Sequence, residues 1–206
     1  MKVLVACEFS GTVRNAFRKR GHDAWSCDLL PADDASEYHI QDDCREHLEG
    51  WDMVIAHPPC TFISFAGACR MFPKAGEVDA ERLKKAKEAV KFFHLCLNAP
   101  VEFVAVENPT PLKICGLPPH NATVQPYEYG HPYSKRTLLW LKNLPPLMPT
   151  KILSRHTPYL PSNTGGNIRG TKTNMIGASG KARSKTFEGI AEAMAEQWGK
   201  VQQGGE

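Results

Sequence analysis

The chain has 206 residues, 42% hydrophobic and 23% charged, with a formal net charge of +3. This composition excludes disorder and low complexity, and it suits one globular domain, with or without a small appendage, able to bury a sizeable core. No apolar run approaches bilayer-spanning length; seven cysteines without a Cys-x-x-Cys pair imply a reduced, cytoplasmic protein and no zinc-type metal site.

The first predicted element is a buried strand, Val3-Leu-Val-Ala-Cys7, which runs straight into a glycine turn and so reads as a strand rather than a signal peptide. A helix follows over residues 12–20, with Val13, Ala16 and Phe17 on one face and Gly21 closing it. Residues 23–27 read as a second strand ending at Asp28, and Met53-Val-Ile-Ala56 as a third, ending in His57-Pro-Pro-Cys60. Residues 77–98 form the clearest helix, with Leu83, Ala86, Val90, Phe93 and Leu97 along one stripe. Phe103-Val-Ala-Val106 is a fourth strand, ending in Glu107-Asn-Pro109, and Thr137-Leu-Leu-Trp-Leu141 a fifth. A last helix begins near Ser184 and carries Phe187, Ile190, Ala191, Met194 and Trp198. Strands alternating with helices predict an α/β fold: a largely parallel sheet with helices on both faces and its ligand site at the carboxyl ends of the strands. Each conspicuous polar motif follows a strand directly, so all of them should gather along one rim.

Chemistry narrows those motifs. Phe9-Ser-Gly11 joins the first strand to the first helix, where glycine permits close backbone approach to a ligand; there is no G-x-G-x-x-G. Asp28 sits where nucleoside-binding folds place an acid for ribose hydroxyls. Asp42 and Asp43 precede the third strand, where an acid can accept from an adenine amino group. Taken singly, each acid is equally well a solvated loop residue. Pro58 and Pro59 stiffen the chain before Cys60 and hold its thiol at one point of the rim, a poor place for a silent core cysteine. From Lys151 to Phe187 there are seven basic residues and no acid, leaving about −4 on the rest of the chain. Arg155, Arg169, Lys172 and Lys181 in that stretch are candidate phosphate contacts, the plain alternative being a solvated loop. His57 is expected to orient the loop or touch a cofactor, His131 to serve a turn, and His22 and His156 to lie at the surface.

Taken together the motifs resemble the cytosine-C5 DNA methyltransferases. Trp51 to Ser64 is similar to that family's nucleophile motif and Phe103 to Pro109 to its strand ending in Glu-Asn. Phe9-Ser-Gly11 resembles its first cofactor motif, Gly130 to Thr137 its later basic motif, and Arg183 to Trp198 its final segment. The motifs occur in family order over nearly the whole chain. The resemblance implies a Rossmann-like S-adenosylmethionine-dependent methyltransferase fold and methyl transfer to C5 of cytosine in DNA. In that chemistry Cys60 adds to C6, and Glu107 protonates N3 through a raised carboxyl pKa. Asn108 positions the carboxylate or its loop, and Arg136 or Lys135 supplies a cation near the base. Phe9, Ser10, Gly11, Asp28, Asp43, His57 and the backbone near Pro58 would hold S-adenosylmethionine.

The chain departs from the family in several places. Thr12-Val13 follows Gly11, Cys27 occupies the usual position of the second-motif acid, Pro109 follows Asn108, and the basic motif reads Lys135-Arg136-Thr137. The stretch between the basic motif and the last helix is too short for an ordinary recognition domain. The expected layout is therefore a cofactor-binding core over 1–150, a short basic DNA-contacting segment over 151–183 and a returning helix over 184–206. Target choice would then be loose, or supplied by a partner or a second copy. The overall pattern is phage- or prophage-like, acting in a bacterial or phage-infected cell. Three alternatives stay open: an exocyclic-amino methyltransferase, a silent binder of cofactor and DNA, and a C5 enzyme transferring a group other than methyl.

Overall fold

In the computed structural model, which describes residues 1–154 and 184–201, the apolar runs become the middle of one seven-stranded sheet. Its strands are β1 (Lys2–Ala6), β2 (Asp23–Asp28), β3 (His39–Gln41), β4 (Met53–Ala56), β5 (Phe103–Pro109), β6 (Ala122–Val124) and β7 (Thr137–Lys142). The spatial order is β3-β2-β1-β4-β5-β7-β6. Pairing is parallel from β3 through β5, and β7 runs antiparallel to both β5 and β6. The expected α/β, Rossmann-like architecture is the one observed.

Alternation explains why both faces are covered. Val3, Val5, Met53, Ile55, Phe103 and Ala105 face one layer, while Leu4, Ala6, Val54, Ala56, Val104 and Val106 face the other. Every one of these side chains is buried, so the strands read as continuous apolar runs. The first layer is closed by α1 (Thr12–Arg18) and α4 (Glu188–Gln197), which bring in Val13, Phe17, Ile190, Met194 and Trp198. The second is closed by α3 (Ala80–Leu97) through Phe93 and Cys96. A short α2 (Ala68–Met71) lies between β4 and α3. Asp79 caps α3, accepting from the Arg82 backbone N–H at 2.7 Å, so the helix begins later than the sequence pattern suggested.

Five strands were expected and seven are present among the described residues. The two additions, β3 and β6, are three residues each and too short to carry an alternating pattern. The last helix begins at Glu188 rather than near Ser184. No helix among the described residues is long and apolar enough to cross a membrane.

Candidate functional site

Register places the rim. Ala6 pairs with Cys27 and with Ala56, and Ala56 pairs with Val106. The next residue on each strand, Cys7, Asp28, His57 and Glu107, therefore lies at one level. In this strand order the crevice opens where successive connections diverge, between β1 and β4. Glu8, two residues past β1, and His57, the residue after β4, flank it.

His57 and Glu107 meet there, with Nδ1 3.3 Å from Oε2. His57 Nε2 is buried without a hydrogen-bond partner among the described residues, as are both amide atoms of the fully buried Asn108. Buried polar atoms are normally satisfied, so the orphaned His57 Nε2 in the cleft wall marks it as a place for a polar ligand, while Asn108 faces the other side of the sheet. The cleft is open to solvent, and its walls include His57, Glu107, Lys135, Thr137, Phe187 and Ile190. The Lys135 ammonium lies 5.9 Å from the centre of the Phe187 ring. Lys135 is half-buried at this wall, whereas Arg136 is exposed and outside it, so geometry favours Lys135 as the cation nearest Glu107.

Two carboxylates face His57 from opposite sides. Glu8 is 4% exposed and satisfies the start of α1, accepting from the N–H groups of Val13 at 2.7 Å and Arg14 at 3.2 Å. Burial raises its pKa despite those bonds and the charge of His57. Glu107 is subject to the same burial, but the His57 hydrogen bond and the Lys135 charge outweigh it and hold its carboxyl below the usual value. This corrects the sequence expectation of a raised Glu107: burial alone would raise it, and the two neighbours reverse the sign.

Cys60 lies in the turn past β4, half-buried against the cluster of Ile63, Met71 and Leu112, and is not among the residues lining the cleft. Its carbonyl accepts from the N–H groups of Ile63 and Ser64 at 3.2 and 2.9 Å. The turn is bonded to the segment after Glu107-Asn108: Leu112 N–H donates to Ile63 O at 2.7 Å and Phe65 N–H to Thr110 O at 2.8 Å. Arg82 of α3 donates to the Thr61 carbonyl at 2.5 Å and lies over the Phe62 ring, 5.1 Å from its centre. The thiol-bearing turn is thereby tied both to the strand bearing the acid and to the start of α3.

On the β1 side of the crevice, Phe9 and Gly11 are buried and Ser10 is half-buried. Gly11 takes the left-handed conformation (φ 69°) that opens α1. Behind it the wholly buried Arg14 donates to Ser26 Oγ at 2.9 Å and pairs with Asp34, anchoring the loop after β2. Asp28 accepts from the Leu30 N–H at 2.9 Å and is raised by burial; Leu29 beside it is 71% exposed. That apolar shelf next to an acid is a feature of the site that the sequence reading missed. Asp43 is engaged elsewhere, since Arg45 grips its carboxylate through backbone and guanidinium and lowers it to about 2. Pro58 is buried.

Two of the histidines differ from expectation. His22 is half-buried against Phe17, 5.6 Å between ring centres, and burial lowers its pKa. His131 does more than turn the chain: its Nε2 accepts from the Gly189 N–H at 2.9 Å and docks α4. Arg155, Arg169, Lys172, Lys181 and His156 lie outside the described residues. Among the described residues no group of three or more His, Cys, Asp or Glu is arranged to hold a metal ion.

No family model matches the chain, and no curated protein matches it significantly. Partial likeness to solved structures exists. One is a protein described as a DNA modification methyltransferase encoded within an E. coli prophage, 16% identical with a TM-score of 0.47, covering 74% of this chain and 51% of that one. Another is a mutant of Spodoptera frugiperda DNMT2, 16% identical with a TM-score of 0.38, covering 80% of this chain and 56% of that one. A third is a Streptococcus pneumoniae protein described as an NADH-flavin reductase, 19% identical with a TM-score of 0.27, covering 49% and 44%. The chain spans about half the length of the solved chains it matches.

Proposed function

We propose that the chain is a DNA cytosine-C5 methyltransferase that uses S-adenosylmethionine and forms a covalent bond to its target base through Cys60. The observation that carries this reading is the pairing of two motifs on adjacent strands. Pro58-Pro59-Cys60 leaves β4, Glu107-Asn108 ends β5, and the segments beyond them are joined by the Leu112–Ile63 and Phe65–Thr110 hydrogen bonds. A nucleophile and an acid carried on bonded neighbouring segments, with Lys135 as the cation near the acid, are the groups that activation of a cytosine ring requires.

Cytosine C5 is too weak a nucleophile to take an alkyl group unaided. Addition of the Cys60 thiolate to C6 moves the ring electrons toward N3 and C5, giving an enamine. A hydrogen bond or proton from Glu107 at N3 stabilises that adduct. After transfer, loss of the C5 proton and departure of the thiolate restore the ring. A base inside a duplex must leave the stack to reach the cleft.

S-adenosylmethionine supplies an electrophilic methyl group when bound. The residues fit it in part. Asp28 stands at the end of β2 for ribose hydroxyls, the Leu29 shelf offers apolar surface to a flat ring, and the buried Glu8 carboxylate provides negative charge near a cationic ligand. Phe9, Ser10, Gly11 and the backbone at Pro58 border the same crevice. Asp43, held by Arg45, fits a structural cap better than a cofactor contact. DNA is the proposed substrate, with Arg155, Arg169, Lys172 and Lys181 as its phosphate contacts and cytoplasm as the proposed site of action.

Trapping on DNA containing 5-fluorocytosine tests the reading, because fluorine at C5 blocks the final elimination. The intact protein should give a covalent complex carrying one added methyl, and Cys60→Ser should give none. Cofactor binding without any adduct would sink the reading in favour of an exocyclic-amino enzyme or a silent binder. An added mass other than methyl would keep the nucleophile and change the cofactor.

A further inference from the structure

We infer that His57 is a positioning residue for the C5 reaction: set between Glu8 and Glu107, it holds through Nδ1 the proton that Glu107 presents to the target base. The inference rests on the C5 reading of the site. It starts from the sheet. The residue after β4 lies between the ends of β1 and β5, so a side chain there faces groups from both neighbours. The residue is a histidine, its side chain is 9% exposed, and its Nδ1 is 3.3 Å from Glu107 Oε2. The other nitrogen, Nε2, is buried with no partner among the described residues. Glu8 faces the imidazole from the loop after β1, and Lys135 faces Glu107 from the turn before β7.

Glu107 in this setting is ionised at neutral pH, because the His57 bond and Lys135 oppose the effect of burial. An ionised carboxylate has no proton to give. His57 is the titratable donor in direct contact with it. The proton movement balances. When the Cys60 sulfur bonds to C6, the C5–C6 pair shifts and charge accumulates on N3. Glu107 takes the Nδ1 proton of the His57 imidazolium and passes it on to N3, leaving His57 neutral. On elimination the C6–S bond breaks, and the N3 proton returns through Glu107 to His57. The C5 proton leaves separately to solvent, so the pair ends the cycle as it began.

The test uses the intact protein, S-adenosylmethionine and 5-fluorocytosine DNA, and follows the single-turnover rate of adduct formation against pH. His57→Asn keeps an N–H close to the place of Nδ1–H but carries no exchangeable charge; His57→Ala removes both. The expected wild-type profile falls on its alkaline side. With DNA and cofactor saturating, His57→Asn should react about a hundredfold more slowly and lack that alkaline limb. Unchanged rate and profile in His57→Asn would overturn the inference while leaving the C5 reading intact. So would equal losses in both variants with the alkaline limb retained, which would mark a purely structural role. A second readout needs no turnover: the Glu107 carboxyl carbon, followed by NMR, should titrate at higher pH in His57→Asn than in wild type. Identical titration overturns the inference whether or not the chain methylates DNA. Failure of the wild-type protein to form any adduct would instead remove the C5 reading itself, and the role of His57 with it.

Discussion

Glu8 and Glu107 lie on one rim and burial pushes both carboxyls upward, yet their net shifts run in opposite directions, and stability should show it. Glu8 is raised when folded, so its contribution is fully present below the ordinary carboxylate pKa and is lost as pH rises through the folded value. Glu107 is lowered, so its contribution is present above the ordinary value and is lost as pH falls through the folded one. Urea denaturation across the acidic range should therefore show Glu107→Gln losing part of the wild-type acid sensitivity. The deficit of Glu8→Gln should shrink as pH rises toward neutrality. Parallel curves for both variants would contradict the assignment. Glu8→Ala is a harsher change. It leaves the Val13 and Arg14 N–H groups without an acceptor in a buried site, at a cost of about 1–3 kcal/mol.

At the scale of elements, two glycines decide how helices approach the site. Gly11 opens α1 at φ +69°, and a Cβ there would overlap the Arg14 guanidinium, which Ser26 and Asp34 hold in place. Gly50 has a similar φ of +82° with nothing within 4 Å of its Cβ position. Gly50→Ala should thus cost only the backbone strain, about 1–2 kcal/mol. Gly11→Ala should cost clearly more, the excess reporting the Arg14 contact; equal losses by chemical denaturation would show that Arg14 moves freely. Gly189 lies in the first turn of α4, where a Cβ would overlap the Tyr129 carbonyl oxygen. Backbone cannot swing aside, so Gly189→Ala should displace α4, destabilise the fold by about 1–3 kcal/mol and disturb the cleft wall formed by Phe187 and Ile190.

For the molecule as a whole, one sheet carries two apolar layers, and the charged motifs are left to its carboxyl rim. The basic stretch from Lys151 to Phe187 opposes an otherwise acidic chain. If Arg155, Arg169, Lys172 and Lys181 each neutralise one phosphate, replacing all four with alanine should reduce the salt dependence of DNA binding. The slope of log K against log salt would fall by about 0.9 per contact on duplex DNA. An unchanged slope would show that DNA charge is met elsewhere, with the lysines of α3 the next candidates.

Sequence by itself determined the α/β class, the five longer strands, the stripe of α3 and the gathering of polar motifs on one rim. Each is written in local periodicity or in residues that directly follow an apolar run. Tertiary structure alone decided the rest. The strands β3 and β6 are too short to announce themselves, and the reversed direction of β7 depends on the packing of its neighbours. That Lys135 rather than Arg136 reaches the cleft was not legible, because adjacent residues leave a strand edge in opposite directions. Nor was the engagement of Asp43 by Arg45. The sign of the Glu107 shift could not be read from sequence, since it depends on His57, fifty positions away along the chain and 3.3 Å away in space. Parallel pairing of β4 with β5 creates that contact, and only the folded sheet sets its register.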